Sequence, residues 1–154
     1  MKAAPLGAFS RCENLKAIKI PEGVAKILIG TFSGCRSITS ILLSASITRI
    51  DEWAFMECSD LKEIHIPNRV SYIGEGAFSK CEKLSSINIP EGVHKLHEHA
   101  FDGCKCLESV IVPKTLAKIA GSAFADCESL RKIYYAGTSA DFDNLNVVRS
   151  CSDA

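Results

Sequence analysis

A phenylalanine recurs every 23 residues along this chain of 154, and the residues around it recur with the same spacing. The phenylalanines are Phe9, Phe32, Phe55, Phe78, Phe101 and Phe124. A cysteine follows each of them by three positions, at Cys12, Cys35, Cys58, Cys81, Cys104 and Cys127, and an aliphatic residue follows each cysteine by three more. A fixed period of about 20 to 50 residues is the signature of a solenoid, a propeller or another array. The chain is therefore expected to fold as stacked copies of one unit.

Each copy also carries a short segment in which apolar and polar residues alternate. In LSSINIP, residues 84–90, Ile87 and Ile89 belong to one side and Ser86 and Asn88 to the other. This period of two predicts a short β-strand. The proline that follows ends the strand because it has no amide proton to donate to a ladder. One strand in each copy predicts that neighbouring copies align their strands in parallel.

The segment after the strand leads the chain to the next copy. IGEGAFSKC, residues 73–81, predicts a short helical or 3₁₀ turn on the far side, where Ala77 is small because the neighbouring chain passes close by. One copy cannot bury its own apolar edge, whereas stacked copies can. We therefore predict an α/β repeat fold, a right-handed solenoid of six coils with a parallel sheet on one face. At roughly 5 Å a coil, the array would be about 30 Å long.

The repeated pattern AFxxCxxLxxIxIPxxVxxI, as in AFSKCEKLSSINIPEGVHKL, resembles the BspA-type (Treponema pallidum-type) leucine-rich repeat family. The resemblance covers residues from about 7 to 136, and the tail IYYAGTSADFDNL is similar to the segment that closes such arrays. It implies a leucine-rich-repeat solenoid. It also implies a cell-surface or secreted protein, as most members of this family are in bacteria and some protists. It also implies adhesion or protein recognition and no catalysis.

The whole chain is expected to be one domain, 1–154, with the repeats at about 7–136 and a C-terminal cap at 137–154. In the cap, Ser139 would be the N-cap of a short helix that runs through Leu145, with Asp141 favourable in its first turn. Such a helix would cover the exposed end of the core.

Charge excludes some kinds of partner. The chain has 18 acidic and 18 basic residues, and no basic patch or run of charge appears along the sequence. Binding to nucleic acid or to an anionic membrane therefore has no electrostatic support. The apolar stretches are too short for a membrane-spanning helix. The first residues lack the apolar core of a secretory signal, so a cytoplasmic location stays open beside the cell surface.

The cysteine column predicts a ladder of small, buried, apolar thiols. A disulfide between adjacent coils is not excluded by geometry, because stacked Cα atoms near 5 Å fall within the allowed range. Cys106 is expected at the surface, and Cys151 lies in the tail. Unpaired thiols suit a reducing compartment, which disagrees with the secreted location that the resemblance implies.

One copy concentrates residues that bind metals, in HKLHEHAFDGCKC, residues 94–106. Imidazole and thiolate are the ligands of zinc and copper, so a metal site at His97, His99 and Cys106 is a minor alternative to a variable solvated surface. No GxSxG, Walker or GxGxxG motif is present, so no enzymatic activity and no cofactor are expected.

The outward strand positions vary from copy to copy while the core columns stay fixed, which predicts a surface that is free to adapt to a partner. The predicted partner-binding residues are Glu63, His65, Ser86, Asn88, Ser109, Ile111, Lys132 and Tyr134. Ile111 and Tyr134 would form an apolar and aromatic spot on neighbouring strands, and tyrosine is a favoured interface residue. The expected partner is a protein, such as an extracellular-matrix or host cell-surface protein. An intracellular interaction scaffold is the first alternative.

Overall fold

The structure is a computed structural model that describes residues 2–144 and 146–147. The described residues form twelve short strands and one helix. In chain order these are β1 (Lys2–Ala4), β2 (Ala17–Lys19), β3 (Val24–Ile27), β4 (Ser40–Leu42), β5 (Arg49–Ile50), β6 (Tyr72–Ile73), β7 (Ser86–Asn88), β8 (Lys95–Leu96), β9 (Ser109–Val112), β10 (Lys118–Ile119), β11 (Lys132–Tyr135), α1 (Ser139–Asp143) and β12 (Asn146–Val147).

Each coil runs along three sides of a common core. The first side, named here the sheet face, consists of β2, β4, residues 63–65, β7, β9 and β11; the segment of one coil on this face is called a rung. The second face consists of β1, β3, β5, β6, β8, β10 and β12. The third side, the turn face, contains the turns that lead into each phenylalanine. All ladders are parallel, and Ile87 pairs with Val110, which pairs with Ile133 one period further on. The predicted solenoid with a parallel sheet is confirmed.

The phenylalanine column forms the centre of the core. Phe32, Phe55, Phe78 and Phe101 are fully buried. Successive rings lie with their centroids 5.2 to 5.6 Å apart and their planes within 16° of parallel. Each ring therefore contacts the ring of the coil before and the coil after, and the inward assignment of this column is confirmed.

The cysteine column lies beside the rings and does more than fill space. The Cys81 thiol donates a hydrogen bond to the carbonyl of Phe55, 26 residues earlier, with 3.2 Å between sulfur and oxygen. The same contact recurs from Cys104 to Phe78 at 3.2 Å. All seven cysteines among the described residues are free thiols. Each buried thiol therefore joins its coil to the preceding one.

The turn face has stacked turns where a short helical or 3₁₀ turn was expected. The Phe78 amide donates to the Ala100 carbonyl at 2.9 Å, so this face also has hydrogen bonds between coils. Two positions after each phenylalanine the backbone is left-handed, with φ between 53° and 76°, at Arg11, Gly34, Glu57, Lys80, Gly103 and Asp126. A left-handed residue cannot continue a right-handed helix. Each coil therefore makes separate hydrogen-bonded turns on this side.

The C-terminal helix starts and ends one to two residues away from the prediction. Thr138 is the N-cap, and its side chain accepts a hydrogen bond from the Asp141 amide while the Asp141 carboxylate accepts one from the Thr138 amide. Thr138 takes this role because its backbone is extended, at φ −79° and ψ 169°, whereas Ser139 is already helical. The predicted place of Asp141 in the first turn is confirmed. Leu145, the predicted last residue, lies outside the described residues.

The helix does not cover the end of the core as expected. None of its residues is buried. Ile133, which belongs to a core column, is 52% exposed, and Phe142 packs edge-on against Tyr135 with 5.5 Å between ring centroids. The chain then returns to the second face, where β12 pairs with β10.

The ladders of hydrogen bonds are interrupted at the third coil. Residues 63–65 do not form a strand, although LKEIHIP alternates as the neighbouring copies do. Within the described part of the chain, no backbone hydrogen bond involves Glu63, Ile64, His65 or Ile66. The rings of Phe55 and Phe78 still lie 5.2 Å apart across the same coil, so the core is continuous where the sheet is not.

Phe78→Ala should lower the free energy of unfolding by about 3–5 kcal/mol, because it leaves a cavity between two stacked rings. Denaturant unfolding of the purified chain measures this change. Phe142→Ala is the matched control, since this phenylalanine is 54% exposed and outside the ring stack. An equally small loss for both variants would contradict the inward assignment of the column.

Candidate functional site

The sheet face presents two columns of outward side chains, because alternate residues of a strand point to opposite sides of a sheet. One column contains Ala17, Ser40, Glu63, Ser86, Ser109 and Lys132, and the other contains Lys19, Leu42, His65, Asn88, Ile111 and Tyr134. Eleven of the twelve are exposed and Ser109 is half-buried. All eight residues predicted from the sequence lie in these two columns.

The interrupted third rung lies at the middle of a cavity of about 450 Å³, named here the central cavity. It is lined by three residues from each of three rungs, namely Ser40, Ile41, Leu42, Glu63, Ile64, His65, Ser86, Ile87 and Asn88. Four of the predicted residues, Glu63, His65, Ser86 and Asn88, are therefore brought together in one concave site.

Glu63 is the only acidic residue among the twelve outward positions of the sheet face. No ion pair or hydrogen bond reaches its carboxylate from the rest of the described chain. On the preceding rung, Leu42 in the other column is 55% exposed. The centre of the face thus combines an unpaired negative charge with an exposed aliphatic side chain.

A second cavity, named here the terminal cavity, also has a volume of about 450 Å³ and lies at the last rung. It is lined by Glu108, Ser109, Ser129, Arg131, Lys132 and Tyr134. Tyr134 is 53% exposed and pairs in register with Ile111, which is 44% exposed. The predicted apolar and aromatic spot is therefore present, and it adjoins the terminal cavity through Tyr134. Three of the predicted residues, Ser109, Lys132 and Tyr134, line the terminal cavity itself.

Eight lining residues were not among the predicted binding residues, and three of these, Ile41, Ile64 and Ile87, are inward core residues. Ser40 and Leu42 occupy outward strand positions, so the same alternation that identified the others could have identified them. Glu108, Ser129 and Arg131 precede their strands, where alternation gives no signal. Arg131 is held by hydrogen bonds from its guanidinium to the Glu128 carbonyl at 2.9 Å and the Leu130 carbonyl at 3.3 Å.

The second face carries a column of cations that no run of sequence reveals. It consists of Lys26, Arg49, Lys95 and Lys118, with Tyr72 in the place between Arg49 and Lys95. Arg49 pairs with Asp51 and lies over the Tyr72 ring, with 3.8 Å from the guanidinium carbon to the ring centroid. The centre of this column is therefore neutralised within the chain.

Tyr72 is held on the same face by a carboxylate. Its hydroxyl donates to Glu52 at 2.6 Å. Burial and this hydrogen bond raise the pKa of Tyr72 to about 12. The same bond lowers the pKa of Glu52 below its ordinary value. The pair is a structural link between neighbouring coils, and both groups keep one protonation state at neutral pH.

His94, His97 and His99, which lie close together in sequence, each contact a different residue. The His94 Nδ1 atom lies 3.0 Å from the Thr115 carbonyl, and the His99 Nδ1 atom lies 3.1 Å from the Asp102 carboxylate. The His97 ring packs 5.1 Å from the Tyr72 ring, and burial lowers its pKa. Among the described residues, no three His, Cys, Asp or Glu side chains are placed to hold a metal ion. The structure does not bring His97, His99 and Cys106 together as ligands.

Trp53 lies on the turn face and is 43% exposed. Its backbone is left-handed, with φ of 54°, at a position where the next coil has Gly76. A Cβ atom on Gly76 would lie 2.5 Å from Trp53 Cδ1, so the glycine leaves room for the indole ring. Trp53 therefore packs on its neighbouring coil and lies apart from the sheet face.

Residues 2–144 and 146–147 contain no helix that is long and apolar enough to span a membrane.

Comparison with known proteins gives consistent results. A family model described as "BspA type Leucine rich repeat region" matches residues 5–131 in six copies. A leucine-rich cell surface protein from Faecalibacterium prausnitzii is similar in structure, with a TM-score of 0.82 and 36% identity over 86% of this chain and 35% of its own. The T. pallidum leucine-rich repeat protein has a TM-score of 0.82 and 29% identity over 84% of this chain and 60% of its own. A leucine-rich repeat protein from Bacteroides ovatus has a TM-score of 0.76 and 33% identity over 86% of this chain and 40% of its own.

The chain therefore spans between 35% and 60% of the length of these three proteins. No curated protein matches it significantly.

Stability should fall at alkaline pH because the core thiols must stay protonated. Burial, and next to it the thiol of Cys58, raises the pKa of Cys35 from about 9 to about 11. A raised folded-state pKa means that the stabilisation is complete below about pH 9 and is lost as the pH rises toward 11. The unfolding free energy of the wild type should therefore fall between pH 8 and 11 by about 1–2 kcal/mol more than that of Cys35→Ser. The exposed Cys106→Ser should behave as the wild type, and equal falls in all three would contradict this assignment.

Proposed function

This chain belongs to the BspA-type leucine-rich repeat family, and from that premise we propose that it is a non-catalytic protein-recognition or adhesion module that binds a partner on the sheet face. The observation that carries the proposal is the contrast between the columns. The inward columns repeat the same residue types, whereas the two outward columns change in size, charge and polarity at almost every rung. Packing requires the first, and it leaves the second free to adapt to a partner.

The mechanism is preorganisation. Stacked rings, thiol hydrogen bonds and turn hydrogen bonds fix the coils, so the outward side chains are held at a regular spacing before a partner arrives. Binding then orders few additional groups and loses little conformational entropy. Tyr134 and Ile111 are suited to act as the apolar anchors, because exposed aromatic side chains contribute strongly to interfaces.

We further propose that the module acts at the cell surface, because the similar protein from Faecalibacterium prausnitzii is a cell surface protein. One observation favours a second candidate, an intracellular scaffold that binds its partner by the same face. All seven described cysteines are free, and free thiols are typical of reducing compartments.

Binding to a panel of extracellular-matrix and host cell-surface proteins tests the recognition function. We expect at least one partner to bind the wild type and to lose about tenfold or more in affinity for the triple variant His65→Ser, Ile111→Ser and Tyr134→Ser. Surface plasmon resonance on purified proteins measures this difference.

The matched control removes a histidine, an isoleucine and an aromatic residue elsewhere, with His94→Ser, Ile29→Ser and Trp53→Ser. Ile29 and Trp53 are 39% and 43% exposed and lie off the sheet face. The control should bind as the wild type does, and both variants should keep the wild-type circular dichroism spectrum. A partner lost equally by both variants would contradict the assignment to the sheet face.

The two candidate locations predict different labelling of intact source cells. A biotin reagent that cannot cross membranes should label the protein if it is at the surface. Labelling only after lysis, together with fully reduced cysteines, would favour the intracellular scaffold instead.

A further inference from the structure

We propose that the central cavity receives a basic side chain, arginine or lysine, from an extended segment of the partner, and that the Glu63 carboxylate binds it. This inference rests on the proposed recognition function and adds the chemistry of the partner. Three independent features lead to it: the charge of Glu63, the unpaired backbone of the third rung, and the position of Lys132 further along the same column.

The first feature is electrostatic. Glu63 lies in a concave site of about 450 Å³ and has no cationic partner among the described residues. A charge in a cleft focuses its field, because the low-dielectric walls restrict solvent. The lining residues Ser40, Ser86 and Asn88 are uncharged, and no lysine or arginine of the described chain lines the cavity beside Glu63 and His65. The cavity therefore attracts a cation and repels a carboxylate or a phosphate.

The second feature is the backbone of the third rung. Within the described chain, the amides and carbonyls of Glu63, Ile64 and His65 make no backbone hydrogen bonds. The carbonyls are acceptors that a guanidinium or ammonium group can use in addition to the carboxylate, since such groups carry three to five donors each. Exposed Leu42 offers an apolar contact for the aliphatic part of the same side chain, which commonly packs on apolar surface.

The third feature sets the length of the partner segment. Lys132 stands in the same column as Glu63, three rungs further on, and makes no ion pair within the described residues. Three rungs span about 15 Å, which an extended peptide covers with four or five residues. The partner segment should therefore present a basic residue at Glu63 and an acidic residue at Lys132, with an apolar residue between them against Ile111.

Selection from a phage-displayed library of random peptides tests this pattern, with wild type, Glu63→Lys and Glu22→Lys as baits. Glu22 is an exposed acidic residue in a turn away from the sheet face. Glu22→Lys therefore makes the same change of charge outside the proposed binding site. Wild type and Glu22→Lys should enrich peptides with a basic residue. Glu63→Lys should lose this enrichment and favour acidic residues instead.

A wild-type-selected peptide should bind Glu63→Gln about tenfold more weakly, between the effects of exposed and buried charge pairs. Lys132→Glu should weaken the peptides that carry an acid four or five residues from the basic position. If basic residues are enriched equally on Glu63→Lys, or not enriched at all, the inference is overturned.

Binding of the selected peptides to the triple variant of His65, Ile111 and Tyr134 tests the proposed function separately. Peptides that the triple variant loses but that ignore Glu63→Lys would support recognition by the sheet face and overturn the role of Glu63. Peptides that bind both the triple variant and Glu63→Lys as they bind the wild type would overturn the sheet face itself, and a library that yields no binder on the wild type would count against both.

Discussion

Contact between one coil and the next is the interaction on which the whole structure depends, because no coil encloses a core of its own. The phenylalanine rings supply the apolar part, with centroids 5.2 to 5.6 Å apart along the array. The cysteines supply the polar part, since each buried thiol donates to the carbonyl of a phenylalanine in the coil before it. The position needs a side chain that is small, apolar and still a donor. Cysteine meets all three conditions, whereas alanine has no donor and serine is more costly to bury.

The period of the sequence is sufficient to predict this framework, because a residue that recurs at a fixed spacing must meet its own equivalents when the copies stack. The period does not predict the places where similar sequence segments adopt different local structures. LKEIHIP and LSSINIP alternate alike, yet only the second forms a strand with ladder hydrogen bonds. Thr138 and Ser139 are both good N-caps, and the backbone conformation decides between them. Likewise, four of the six left-handed positions after the phenylalanines are not glycine, so residue type alone does not mark the turns.

The same distinction applies to the candidate site. Alternation along each strand identified the outward residues, and the structure places all eight in two columns of one face. Alternation could not show that these residues divide between two cavities, because cavities depend on how the backbone of neighbouring rungs is spaced. It also could not show the cations of the second face, which are 23 residues apart in sequence and become neighbours only by stacking. Reading the sequence by columns would have revealed them, and the contacts of Arg49 and Tyr72 show why they do not form an open basic surface.

The coils are joined both by the stacked rings with the turn-face hydrogen bonds and by the ladder hydrogen bonds between strands. On the sheet face, the ladder is interrupted at the third coil. Since the ring stack and the turn face continue through this coil, the loss of ladder hydrogen bonds on the sheet face does not separate the array into two parts. Residues 63–65 form a segment that has no backbone hydrogen bonds within the described chain, while its Ile64 side chain stays buried in the core. The segment also carries the only acidic side chain of the face, with backbone groups beside it that have no partner within the described chain. Stability is thus concentrated in the inward columns and the turns, and the outward residues of the rungs can change with little effect on the fold. This separation explains how one repeated pattern can support faces of very different chemistry.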